Sequence, residues 1–149
     1  MQQRKPEIFL DTSVIIASLF SETGGARMLF RLGEAGVVTL VVGKITLQEA
    51  DEVLLRKAPD LRVLLAQLLD TAQVKIGDLP TKKYLVQANA FLDYAPNAQV
   101  LAEAMQATPD WFVSHDREHF LDNPGLAKLP FQIGSPGDIL AWFRTQLWI

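Results

Sequence analysis

Two short apolar runs in this chain each lead directly into an acid. Phe9-Leu10 is followed by Asp11-Thr12-Ser13, and Trp111-Phe112-Val113 by Ser114-His115-Asp116. In an open α/β sheet, ligands bind outside the carboxyl ends of the parallel strands. If these two strands are neighbours where the strand order reverses, Asp11 and Asp116 face one crevice. Paired carboxylates there have two common uses. They hold Mg²⁺ or Mn²⁺, which take oxygen ligands, or they divide into general acid and general base. The hydroxyls of Thr12, Ser13 and Ser114 stand where they can orient the carboxylates. A plainer reading stands beside this one: Asp11 or Ser13 only caps the helix that begins with Val14-Ile15-Ile16.

Other chemistries compete for the same residues. His115 and His119 lie four apart around an acid, faintly like the zinc motif H-E-x-x-H. That motif needs a helix under both histidines, whereas a strand runs up to Ser114, and no third ligand stands out. His115 and Arg117 fit better at the mouth of the crevice, in contact with phosphate. Asp11 as a phosphoryl-accepting nucleophile is a further option. Phosphatases of the haloacid-dehalogenase type carry a second Asp two positions on, and this chain has Ser13 there.

The elements around these residues alternate. Ile8–Leu10 reads as a buried strand, followed by a helix to about Glu22. Gly24-Gly25 breaks the chain, and a second helix from Ala26 closes at Gly33 and Gly36. Residues 37–42 are β-branched and apolar on both faces, as in a parallel sheet covered on both sides. Ile45–Lys57 and Asp60–Ala72 form a helical hairpin around Pro59. Gln73–Ile76 reads as a short strand, and a helix opens at Asp78–Thr81. Asn97, after Pro96, is a good N-cap for the next helix. Phe131–Ile133 reads as the last strand, and Pro136 starts the last helix. This order implies parallel strands in a three-layer α/β/α sandwich with a mainly parallel central sheet.

The chain has 149 residues, which makes one domain over 1–149 the natural expectation. Its 49% apolar and 21% charged content is that of an ordinary globular protein. It contains no cysteine, which excludes disulfides, thiolate nucleophiles and cysteine metal sites. The first six residues are too polar and short for a signal peptide. No apolar run approaches the roughly 20 residues of a membrane helix. The expected location is the cytoplasm. A net charge of −3 does not advertise nucleic-acid binding. An acidic metal-binding cluster, however, lowers the total without removing basic patches elsewhere.

The order of these motifs resembles the PIN domains, small α/β nucleases with a parallel sheet and a metal-binding acid cluster. The likeness runs through Phe9-Leu10-Asp11-Thr12-Ser13-Val14, Glu49-Ala50-Asp51-Glu52, Asn97-Ala98-Gln99-Val100, Asp110–Phe120 and Ser135-Pro136-Gly137-Asp138. The resemblance implies that Asp11, Glu49 and Asp116 are catalytic acids holding Mg²⁺ or Mn²⁺. It places Asn97 at a fourth ligand position, where the family usually has Asp; Asn brings a carbonyl oxygen without the charge. By residue type alone, Asn97 is equally a helix cap, and for Glu49, beside Asp51 and Glu52, a solvated face is the lesser alternative. The implied activity is a metal-dependent endoribonuclease that hydrolyses phosphodiesters of RNA. The VapC toxins within the family further imply a toxin–antitoxin pair, with a small antitoxin protein as partner and a homodimer. The alternative is a PIN-like module weakened at Asn97, which binds RNA or a protein.

Overall fold

The computed structural model describes residues 4–147. Strand β1 (Glu7–Leu10) is followed by α1 (Thr12–Phe20) and α2 (Gly25–Glu34). Next come β2 (Thr39–Val42), α3 (Lys44–Lys57), α4 (Leu61–Thr71) and β3 (Lys75–Ile76). Helices α5 (Lys82–Phe91) and α6 (Ala95–Ala107) lead to β4 (Trp111–Val113). A π turn over Arg117–Leu121 and a 3₁₀ turn over Pro124–Lys128 precede β5 (Gln132–Gly134) and α7 (Pro136–Leu147).

The five strands are ordered β3-β2-β1-β4-β5 and every pairing is parallel. The order reverses between β1 and β4, where Leu10 lies level with Val113. The alternation of strand side chains divides the core in two. Ile8, Leu10, Leu40, Val42, Trp111 and Val113 pack against residues of α1 to α4 and α7. Phe9, Val41 and Phe112 point the other way, onto α5, α6 and the turns after β4. Phe9 stacks on Phe112 at 5.7 Å, and Phe112 meets Phe120 at 4.7 Å. This is the three-layer α/β/α sandwich that the alternating elements imply. Among the described residues, no helix is long and apolar enough to cross a membrane.

The boundaries differ from the sequence reading in ways that have physical causes. Strand β2 starts at Thr39 rather than Val37. Gly36 adopts a positive φ of 78°, and Val37 donates its N–H back to the Leu32 carbonyl at 3.0 Å. That 6→1 bond closes α2, so Val37 belongs to the helix cap rather than the sheet. The same device shortens β3. Gln73 has φ 51°, and the Val74 N–H returns to Leu69 O at 2.9 Å. Helix α5 starts at Lys82, later than Asp78–Thr81. Strand β5 is Gln132–Gly134, one residue on from Phe131, whose side chain is buried in the second core. Asp60 makes no side-chain cap to α4. Helix α6 starts at Ala95 with Tyr94 in the cap position, because the fixed φ of Pro96 suits a first turn. Asn97 is therefore inside the helix, and its expected role as N-cap is not what the structure shows.

Candidate active site at the β1–β4 crevice

Asp11 directly follows β1, and its N–H gives a ladder bond to Val113 O at 3.0 Å. Its carbonyl accepts from Val14 and Ile15 N–H and so starts α1. It occupies the cap position, yet its carboxylate does not cap the helix. Instead Oδ2 accepts from Ser13 Oγ at 2.9 Å and from Ser114 Oγ at 2.7 Å. Only 7% of Asp11 is exposed, and Ser114 is fully buried. The hydroxyls then pass the order onward. Ser114 Oγ accepts from Asp116 N–H at 2.9 Å, and Ser13 Oγ accepts from His115 N–H at 3.0 Å. A chain of hydrogen bonds thus ties the end of β1 to the loop after β4. Ser13, at the place where a phosphatase of the dehalogenase type would need a second Asp, is a hydrogen-bond donor to Asp11.

Asp116 is placed by the π turn it begins. Its Oδ1 accepts from His119 N–H at 3.0 Å, and its Oδ2 pairs with His119 Nδ1 at 3.0 Å. His115 lies outside that turn and is exposed, so the two histidines do not share a helix. Arg117 is exposed and meets only Asp122, at 3.5 Å. Glu49 stands on α3 and accepts from Thr12 Oγ1 at 2.9 Å. It is half-buried against the site rather than part of a solvated face.

A fourth acid at this end of the sheet, Glu103 on α6, is only 2% exposed. It lies well inside its helix and is not among the site residues expected from the sequence. Its Oε2 accepts from Ile45 N–H at 2.7 Å, and its Oε1 from Thr46 N–H at 2.9 Å and Thr46 Oγ1 at 2.8 Å. It caps α3 from another helix, in place of the residue at the cap position, Gly43, which has no side chain. A Cβ on Gly43 would overlap the Glu103 carboxylate. The available signal was an acid in the run Val100-Leu101-Ala102-Glu103-Ala104, where its neighbours are all core types.

Charge is concentrated here without compensation. Burial pushes the Asp11 carboxyl up from its ordinary value; the Ser114 and Ser13 hydroxyls oppose this, and the Asp116 charge adds to it. Burial also raises Glu49, against the Thr12 bond, and the charges of Asp11 and Glu103 raise it further. Among the described residues, no Lys or Arg pairs with Asp11, Glu49 or Asp116. Three hard oxygen donors with unbalanced negative charge are the donor chemistry of Mg²⁺ or Mn²⁺. In that respect the residues fit one divalent cation. As they stand, no three Asp, Glu or His side chains among the described residues gather closely enough to hold an ion. Asp116 is engaged with His119, Glu103 is engaged with α3, and Asn97 is neutral and half-buried in the first turn of α6.

No protein-family model matches the chain, and no curated protein matches it in sequence. Solved structures match it in fold. A structure of VapBC2 from Rickettsia felis, bound to a DNA fragment from their promoter, aligns with TM-score 0.67 at 14% identity over 87% of this chain and 98% of that one. DNA-bound VapBC from Salmonella typhimurium aligns at 0.63 and 16% identity, over 88% of this chain and 98% of that one. VapC20 from Mycobacterium tuberculosis, a sarcin-ricin loop cleaving toxin, aligns at 0.55 and 18% identity, over 75% and 92% respectively. The PIN-type architecture expected from the motifs is the architecture this chain has.

Proposed function

We propose that this chain is a divalent-metal-dependent endoribonuclease and the toxin of a toxin–antitoxin pair. The observation that carries the reading is buried Asp11 at the point where strand order reverses, within electrostatic reach of Asp116 and Glu49, with no Lys or Arg paired to any of the three among the described residues. The likeness in fold to a toxin that cleaves an RNA loop supports it. Asp11, Glu49 and Asp116 would hold Mg²⁺ or Mn²⁺, with Asn97 as a neutral fourth donor. The ion, when bound, supplies charge stabilisation at the phosphodiester and a more acidic water. Ser13 and Ser114 fix the rotation of Asp11, and Thr12 fixes Glu49. Asp116 would join them through the lone pairs that its two bonds from His119 leave free. His115 and Arg117 are exposed beside Asp116 and take flanking phosphates. Water attacks phosphorus in line, one P–O bond forms, and the opposite P–O bond to ribose breaks.

An antitoxin protein as partner belongs to the same reading, supported by the likeness to VapBC structures; a homodimer and a cytoplasmic setting are parts of the proposal. The test is cleavage of single-stranded RNA by protein stripped with EDTA and then given Mn²⁺. Cleavage should require Mn²⁺ and disappear in Asp11→Asn. Equal cleavage by that variant, or cleavage without a metal ion, would overturn the proposal. A second reading, an RNA-binding module with little catalysis, is favoured by the neutral Asn97 and the engaged Asp116. It predicts RNA binding without cleavage at saturating Mn²⁺.

A further inference from the structure

Beside the carboxylate crevice, Tyr94 presents an aromatic ring that the fold itself does not use. It sits in the cap position of α6 but makes no side-chain cap, and it is 59% exposed. Its hydroxyl has no hydrogen-bond partner among the described residues. Its ring lies against the imidazole of His119, with centroids 6.2 Å apart and planes 29° from parallel. His119 is not free to turn. Its ring nitrogen and its N–H both engage Asp116, and its carbonyl accepts from Asn123 Nδ2 at 3.1 Å. One half of this aromatic step is therefore fixed to a carboxylate of the crevice, and the other half is open to solvent.

Exposed aromatic rings beside a backbone-binding site are the means by which proteins hold single-stranded nucleic acid, since every base has a π-face. Stacking needs no particular base edge. We propose that Tyr94 and His119 form a stacking step for one nucleobase of single-stranded RNA, next to the phosphodiester at the carboxylates. The proposal rests on the nuclease reading and adds a base subsite to it. Arg117 and His115, exposed after β4, flank the same turn and suit the phosphate of the stacked nucleotide.

The test uses single-stranded RNA oligonucleotides with 2-aminopurine at one position, moved along the strand, and the full chain in EDTA and in Mn²⁺. The wild type should bind and quench the probe at one position. Tyr94→Ala should weaken binding about 5- to 150-fold, the range that one base–aromatic stack gives. Tyr94→Phe keeps the ring and should bind like the wild type. An abasic residue at the quenched position should erase the difference between wild type and Tyr94→Ala. An unchanged affinity in a folded Tyr94→Ala overturns the stacking step and leaves the nuclease reading intact. A loss in Tyr94→Phe as large as in Tyr94→Ala overturns it too, because the hydroxyl would then be responsible. A wild type that binds no RNA in either condition overturns both.

Discussion

Replacing Glu103 with alanine should unfasten the start of α3. The carboxylate accepts two backbone N–H groups and the Thr46 hydroxyl in a nearly water-free position. Buried donors that lose their acceptor cost about 1–3 kcal/mol each, and a charge at a helix N-terminus contributes up to about 2 kcal/mol. Relief of the carboxylate's own desolvation offsets part of this, so a net loss of about 2–4 kcal/mol is expected. In a chain of this size that corresponds to a fall in Tm of roughly 5–15 °C. The pH dependence tests the balance of causes. Burial raises the Glu103 carboxyl, and the bonds from Thr46 and Ile45 only partly oppose it. A group with a raised folded pKa adds stability that is present below its unfolded pKa and lost as pH rises through the folded value. Glu103→Gln does not titrate, so the stability of the wild type relative to this variant should fall as pH rises from 4 toward 7. Urea unfolding of the three proteins across that range gives the answer. A wild-type stability that rises with pH relative to Glu103→Gln would show the helix N–H groups outweighing burial, and an alanine variant as stable as the wild type would refute the cap altogether.

Gly43→Ala should destabilise the fold, because the added methyl overlaps the Glu103 carboxylate. Its cost should shrink in a Glu103→Ala background, which a double-mutant cycle on chemical denaturation reads directly. Asp110 accepts two bonds from Arg4 and one from Glu7 N–H. Burial acts to raise its carboxyl, but these partners outweigh that and leave it lowered. Its contribution should be present at neutral pH. It should fade as pH falls below the ordinary carboxylate range, so wild type and Asp110→Asn converge in acid. Asn97→Asp puts an acid into a first helical turn that has none. It should raise Mn²⁺ affinity and the rate of RNA cleavage together; calorimetric titration showing no tighter binding would remove Asn97 from the ligand set.

Much of the site was legible because it lies where backbone rules are strict. A strand ending in Asp11 and another ending in Ser114-His115-Asp116 need only parallel pairing to meet. The two serines then find Asp11 without further information. What could not be read depended on contacts between distant elements or on local closure. Glu103 caps α3 across 57 residues of chain from Thr46. Helices α2 and α4 end in backward bonds that take Val37 and Val74 away from the sheet, although both residues favour strands. The pairing of His119 with Asp116 depends on a π turn, which has no period that a sequence shows.

The chemistry of the RNA ends tests the central claim most directly. If Asp11, Glu49 and Asp116 serve a hydrolysis in which water is the nucleophile, cleavage in H₂¹⁸O with Mn²⁺ should give one terminal phosphate carrying ¹⁸O. No 2′,3′-cyclic phosphate should form at any time. Cyclic phosphate as the first product would mean that the ribose hydroxyl attacks, and would contradict the role assigned to these carboxylates.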